Sequence, residues 1–267
     1  MERTVLVTGA SSAVGRATAE AFCDEEWTVY AAVREEGVTL PDRGGLRQET
    51  LDVTDPRDVA RVIERITDET DRIDALVTLP GRAVLGPLED TPTATVTAAF
   101  DHTLFGYHRL LREVLPEMRD RENGTVVTVT SAAASTAFPG GGVHAGTQTA
   151  LAAATDALRR ETSALDVVRV EAGPVADGGA PHATDPDDRT DAYESVYGLV
   201  DDWGKLGPDN PLSVAPEAVA DVIVNAASAT QPATRYPVGP VAQLAGLARL
   251  LPGWLTDAGW RLARRLG

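Results

Sequence analysis

The stretch TGASSAVG, residues Thr8 to Gly15, follows the apolar run TVLVT and leads into a helix-period segment that begins near Val14. An apolar run that stops at small residues and gives way to a 3.6-residue repeat reads as a strand, a tight turn and a helix. Small side chains at such a turn let backbone N–H groups approach a pyrophosphate at the positive end of the helix. Taken alone, the loop is a weak signal, because small residues punctuate many turns.

Outward from this loop the same rhythm repeats. Strand-like runs appear as WTVYAAV from Trp27, LRQETLDV from Leu46, IDALVT from Ile73, GTVVTVT from Gly124 and LDVVRVEA from Leu165, with helix-period segments between them. PRDVARVIERITDET is the clearest helix, with Pro56 at its first position and Asp55 before it as the N-cap. Strands apolar on both faces predict a parallel sheet covered by helices on both sides, an α/β doubly wound, Rossmann-like fold. Residues 176–212 are dense in Asp, Gly and Pro and read as a mobile excursion, a lid over the site. From Pro216 the pattern resumes with a helix, the short strand or turn RYPVG, and a C-terminal helical extension over 240–267.

Length and composition set the outer limits. A chain of 267 residues with 43% hydrophobic residues suits one large domain better than two small ones. The lone Cys23 rules out an intrachain disulfide and reads as a buried thiol, which fits a cytoplasmic setting. The acidic residues number 40 against 24 basic ones, for a net charge of −16, and the basic set is all arginine except Lys205. Such an excess opposes nucleic acid and anionic membranes, and dense surface carboxylate is a lever used by halophile proteins, so a salt-requiring protein is expected. WLTDAGWRLARR near the C-terminus has the pattern of an amphipathic surface helix, but the acidic balance favours packing over the core or at a subunit seam.

The order of motifs, from TGASSAVG through LDVTD, VTLPG and TSAAAS to the GPV loop, resembles the short-chain dehydrogenase/reductase family over almost the whole chain. VYAAVRE, LPEM and RYPVG are similar to its steroid and retinol dehydrogenase branch. The resemblance implies a nicotinamide cofactor bound by Gly9, Ser11, Ser12, Ala13, Val14 and Gly15, with Ala13 at the middle glycine of the family's TGxxxGxG pattern. It places Asp52 and Val53 at the adenine, and Gly81, Gly173 and Val175 along the rest of the cofactor. Val33 and Arg34 stand where NAD-specific members carry an acidic residue. Arg34, with Ser12, would therefore favour the 2′-phosphate of NADP, with NAD the other possibility. A plain surface arginine and, for Asp52, a helix-entry cap are the simpler readings of those two residues.

The resemblance also implies four catalytic positions. The serine matches Ser131. The tyrosine position is His144, the lysine position Gln148 and the asparagine position Thr103. A tyrosine of pKa near ~10 needs a cation beside it to work at neutral pH, and Gln148 brings none. An imidazole titrates near ~6.5 unaided, so the joint loss of tyrosine and lysine is chemically coherent, and Gln148 retains groups that can hydrogen-bond a ribose. The NNAG turn of the family becomes Thr78, Leu79, Pro80, Gly81, and Asp177 stands where a threonine would approach the cofactor. No metal site is expected, since His102 and His108 are six apart, and no GxSxG elbow makes Ser131 a hydrolase nucleophile.

Two functions follow as alternatives. One is an NADP-linked oxidoreductase acting on a small alcohol or carbonyl with non-standard proton chemistry. The other is an inactive relative serving as a dinucleotide sensor or as partner subunit of an active enzyme. A homodimer or homotetramer, or a hetero-oligomer with such a relative, is expected through helices spanning 93–121 and 143–164. Neither nucleic acid nor membrane is expected as a partner.

Overall fold

The computed structural model describes residues 3–34, 38–79, 81, 83–176, 182–183, 189–203, 210–248 and 251–266. The strand–turn–helix read from TGASSAVG is present as β1 (Thr4–Thr8) and α1 (Ala13–Asp24). Then come β2 (Thr28–Val33), β3 (Leu46–Thr50), α2 (Pro56–Thr70) and β4 (Ala75–Thr78). They are followed by β5 (Val84–Leu85), α3 (Thr93–Phe100), α4 (Gly106–Asp120), β6 (Thr125–Ser131) and α5 (Gly142–Glu161). The chain continues as β7 (Asp166–Ala172), β8 (His182–Ala183), α6 (Glu194–Trp203), α7 (Pro216–Ser228), β9 (Arg235–Val238), α8 (Pro240–Ala248) and α9 (Gly253–Leu266).

Seven strands form one parallel sheet in the order β3-β2-β1-β4-β6-β7-β9. The order reverses at β1 and β4, which opens a crevice at their carboxyl ends, the place where doubly wound sheets bind ligands. Because consecutive side chains point to opposite faces, Val5 and Val7 join the layer under α1 and α7, while Leu6 and Leu76 join the layer under α2, α4 and α5. Both faces are covered, as apolar strands such as TVLVT require.

Local signals account for the helix ends. Asp55 accepts from the Arg57 N–H at 2.8 Å, and Pro56 occupies the first position of α2, where the missing N–H costs nothing. Between α3 and α4 the residues Asp101–Phe105 form a π-turn, so one long helical run carries a bulge at its midpoint. Within the excursion 176–212, α6 is a regular helix rather than loop. Val196, Tyr197 and Val200 supply a buried face, and the Cβ that Gly140 lacks would lie 2.4 Å from Val200. Asp177, Pro80, Lys205 and the pair Glu35 and Glu36 lie outside the described residues.

A helix-entry loop and a substituted tetrad at the sheet switch point

The loops at the carboxyl ends of β1, β2, β3, β4, β6 and β7, together with the π-turn and α5, carry the residues singled out by the motifs. In the first loop Gly9 has φ +70°, a backbone shape that favours glycine. Ser12 caps α1: its Oγ accepts from the Gly15 N–H at 3.0 Å, and its hydroxyl donates to the Gly9 carbonyl at 2.8 Å. A Cβ on Gly15 would fall 2.2 Å from that same carbonyl, so glycine is needed for α1 to sit this close to β1. Ser11 is exposed, and Ala13 and Val14 open the helix. The N–H groups of Ala13 and Val14 have no partner available within the helix, and that is the donor set an anion needs. Ser12 is thus spent on holding the loop, which leaves Arg34 as the cationic group of this end.

Arg34 is exposed at the end of β2. Asp52 Oδ1 accepts from both the Thr54 N–H (2.8 Å) and the Thr54 hydroxyl (2.7 Å), so Asp52 closes a turn while Asp55 caps the helix. Burial pushes the Asp52 carboxyl up, but the Thr54 hydrogen bonds and the proximity of His102 and Arg34 together hold it below the usual range. His102, weighed in the sequence only as a metal ligand, stands in the π-turn beside this carboxylate. Val53 packs against α4, where a Cβ on Gly106 would lie 2.6 Å from its Cγ2. Thr8, Val53, Thr78, His102, Thr103 and Tyr107 line a cavity of about 20 Å³, and the buried Thr78 hydroxyl on its wall lacks a hydrogen-bond partner. The space admits one water with polar groups to hold it.

Gln148 occupies the lysine position and is buried, with 1% of its surface exposed. Its Oε1 accepts from the Ser131 N–H at 2.8 Å, so the amide pins the end of β6 and keeps its NH₂ group as the donor available to a ribose. The Ser131 Oγ accepts from the Ala133 N–H at 3.1 Å, which orients the side chain and leaves its hydroxyl proton to donate. His144 lies one turn before Gln148 on α5. Desolvation pulls its imidazole down to about 4. Thr103, at the asparagine position, is buried within the π-turn. Gly81 is exposed after β4, the Gly173 N–H donates to the Val238 carbonyl at 3.0 Å, and Val175 bridges to Val214. Among the described residues no group of three or more His, Cys, Asp or Glu side chains is placed to hold a metal.

The residues present fit a dinucleotide at its phosphate and adenine ends, through the α1 donors, the Gly9 and Gly15 loop, and Asp52 with Arg34. At the nicotinamide end the serine is present but the cation is missing. A helix-entry phosphate loop on a doubly wound parallel sheet, with a serine at the end of β6 and a polar helix opposite, defines a Rossmann-type dinucleotide-binding scaffold. Residues 3–181 match the family described as short chain dehydrogenase, and the chain belongs to that family of oxidoreductases. An uncharacterised oxidoreductase of Escherichia coli K12, YbbO, is 29% identical, covering 96% of this chain and 93% of its own. Human 17-beta-hydroxysteroid dehydrogenase type 1 is also 29% identical, over 88% of this chain and 77% of its own. Among solved structures, a short-chain dehydrogenase from Streptomyces avermitilis superposes with a TM-score of 0.84 at 27% identity, covering 99% of this chain and 98% of that one. A Burkholderia cenocepacia short chain dehydrogenase in complex with NADP shares the fold, with a TM-score of 0.76 at 21% identity over 97% of each chain.

Proposed function

We propose that the chain is an NADP-linked oxidoreductase that takes the proton of a small alcohol with His144 in place of the family's tyrosine and lysine. The observation that carries this reading is the place of His144 on α5, one helical turn before the Gln148 that holds Ser131. Desolvation holds the ring down to about 4, so at neutral pH its unprotonated nitrogen accepts the substrate hydroxyl proton, as a weaker base than a free imidazole. Ser131 Oγ–H orients the substrate oxygen, the Gln148 NH₂ meets a ribose hydroxyl, and Thr103 closes the back of the site. A bound nicotinamide dinucleotide would supply the hydride acceptor. Its phosphates would meet the α1 N–H groups, and Arg34 favours a 2′-phosphate, so NADP is preferred over NAD.

The reading predicts tight NADPH binding with a rise in thermal stability, weaker NADH binding, and NADP⁺-dependent alcohol oxidation that His144→Asn abolishes. Carbonyl reduction is expected only at acid pH, where the imidazole carries a proton. Binding to neither nucleotide would overturn the assignment. A second reading, a retired enzyme acting as dinucleotide sensor or as partner subunit of an active relative, is favoured by Gln148, whose carbonyl serves the protein backbone. It predicts nucleotide binding without turnover, and activity appearing only in the double variant His144→Tyr with Gln148→Lys.

Three further properties belong to this proposal. The α6 segment serves as a lid, and the chain assembles as a homodimer or homotetramer through α4 and α5, where Phe105 at the π-turn is 49% exposed. Sedimentation in high salt showing only a monomer would remove the oligomer. The acidic excess makes the fold salt-requiring, and an unchanged melting temperature between dilute buffer and molar salt would remove that. Among the described residues no helix is long and apolar enough to cross a membrane.

A further inference from the structure

The net charge of −16 is not spread evenly. Residues 241–267 hold four arginines (Arg249, Arg261, Arg264, Arg265) and one carboxylate, Asp257. Taking out the +3 of this segment turns the chain's −16 into −19 for everything before it. The basic segment is also where exposed apolar side chains gather: Leu244 is 62% exposed, Leu251 51%, Trp254 66% and Leu255 39%. Isolated exposed leucines are ordinary, but four large apolar residues within twelve positions are a surface with a use.

The way α9 is seated explains the exposure. Among its described side chains, 253–261, the half-buried ones are Thr256 and Trp260, and the Trp260 ring packs on Phe138 with centroids 6.3 Å apart. The helical repeat puts Trp254 and Leu255 on the far side from Thr256 and Trp260, so the helix holds the body by a narrow edge and turns apolar residues outward. The same helix packs against α6, and Phe138 in turn covers Gly141, where a Cβ would meet the ring at 2.3 Å. Gly141 directly precedes α5, which carries His144, so the inward edge of α9 is linked through Phe138 to the start of that helix.

We propose that α9 docks the protein on an anionic lipid surface. Tryptophan and leucine facing outward with arginines on the same helix is the composition that seats a helix in the headgroup region. The total charge does not oppose this, because charges farther from the lipid than the Debye length, about 8 Å at physiological ionic strength and about 3 Å in molar salt, are screened, and in the higher salt the apolar contact of Trp254 and Leu255 carries the docking. The charge of the segment itself sums to +3 in sequence, with Arg261 exposed on α9. A second copy is the poorer occupant. A two-fold contact through α9 would set two basic helices against each other.

The test is flotation of the full chain with vesicles of phosphatidylglycerol and phosphatidylcholine, and of phosphatidylcholine alone, at the lowest salt that keeps the near-ultraviolet circular dichroism native. Binding to the anionic vesicles at least ten-fold stronger than to the neutral ones is expected. Trp254→Glu with Leu255→Glu should abolish it while leaving the dichroism unchanged, and Arg57→Glu, at an exposed arginine on α2, should leave binding intact. Absence of flotation, equal flotation of the double variant, or light scattering that shows the double variant converting an oligomer to monomers would overturn the proposal.

Discussion

The Ser131 N–H donates to Gln148 Oε1 across seventeen residues of sequence, at 2.8 Å and away from solvent. A side chain at the position where the family keeps a cation is therefore also part of the sheet's hydrogen bonding. Gln148→Ala leaves that N–H without an acceptor, and a buried donor left unpaired costs about 1–3 kcal/mol. Thermal denaturation should show a fall of a few degrees in Tm. An unchanged Tm would mean that the β6 end is held by other contacts.

Gly15→Ala pushes a methyl group to 2.2 Å from the Gly9 carbonyl and 2.8 Å from the Ala10 Cα, both backbone atoms that cannot swing away. Separation of α1 from β1 should destabilise the fold by about 1–3 kcal/mol and remove nucleotide binding. Ala13→Gly makes the opposite change, opening the loop to a phosphate, and should tighten NADPH binding at a small cost in helix stability. Nucleotide titration of both variants checks the pair.

The His144 imidazole, held down to about 4 by desolvation, makes stability depend on pH. Its folded value lies below its unfolded value near ~6.5, so the unfolded chain binds the extra proton between them. The contribution is fully present above about 6.5 and is lost as pH falls toward 4. Because part of the ring reaches the cleft, about 3 kcal/mol is its upper bound. His144→Asn should flatten the urea-denaturation stability over that window, and a parallel curve for both proteins would refute the burial of a neutral ring.

Glu171 lies between Arg169 and Arg235 and is wholly buried, so one carboxylate compensates two guanidinium groups on neighbouring strands. Glu171→Ala removes the buried carboxylate shared by the two arginines, with Arg169 still facing Asp156 at 3.7 Å, and should cost about 3 kcal/mol in chemical denaturation.

Asp90 accepts from the Tyr197 hydroxyl and from the Thr190 N–H (3.0 Å) and hydroxyl (2.7 Å), while the Tyr193 hydroxyl donates to Glu89 at 2.5 Å. The Tyr197 and Thr190 bonds hold the Asp90 carboxyl below its usual range, so the clasp is present above the ordinary carboxylate value and is lost as pH falls through the lowered one. Tyr197→Phe should speed hydrogen exchange in 194–203 while leaving the sheet protected. Uniform protection in that variant would show that Val196 and Val200 suffice to hold α6.

Some of this was legible in local sequence. The strands stand where the apolar runs placed them, and α2 occupies Pro56–Thr70, the stretch marked by Asp55 and Pro56. These features are set by neighbours within a turn or two, through alternation, capping and the fixed φ of proline. The candidate site was legible only as a resemblance, because Ser131, His144 and Thr103 have no shared local signature. No local signal brings His102 beside Asp52, and none marks α6 within 176–212, since Val196, Tyr197 and Val200 form a helix face only where Gly140 and Asp90 are there to pack against it.

The sequence by itself determined a doubly wound parallel sheet and a helix-entry loop built of small residues, and through the family resemblance it pointed to Ser131, His144, Gln148 and Thr103 as candidate site positions. Only the tertiary structure decided that Gln148 binds the Ser131 backbone, that desolvation lowers His144, and that α9 turns Trp254 and Leu255 outward. The physical reason is range: propensity and capping act over a few residues, whereas desolvation and buried hydrogen bonds depend on which distant segments the fold brings together.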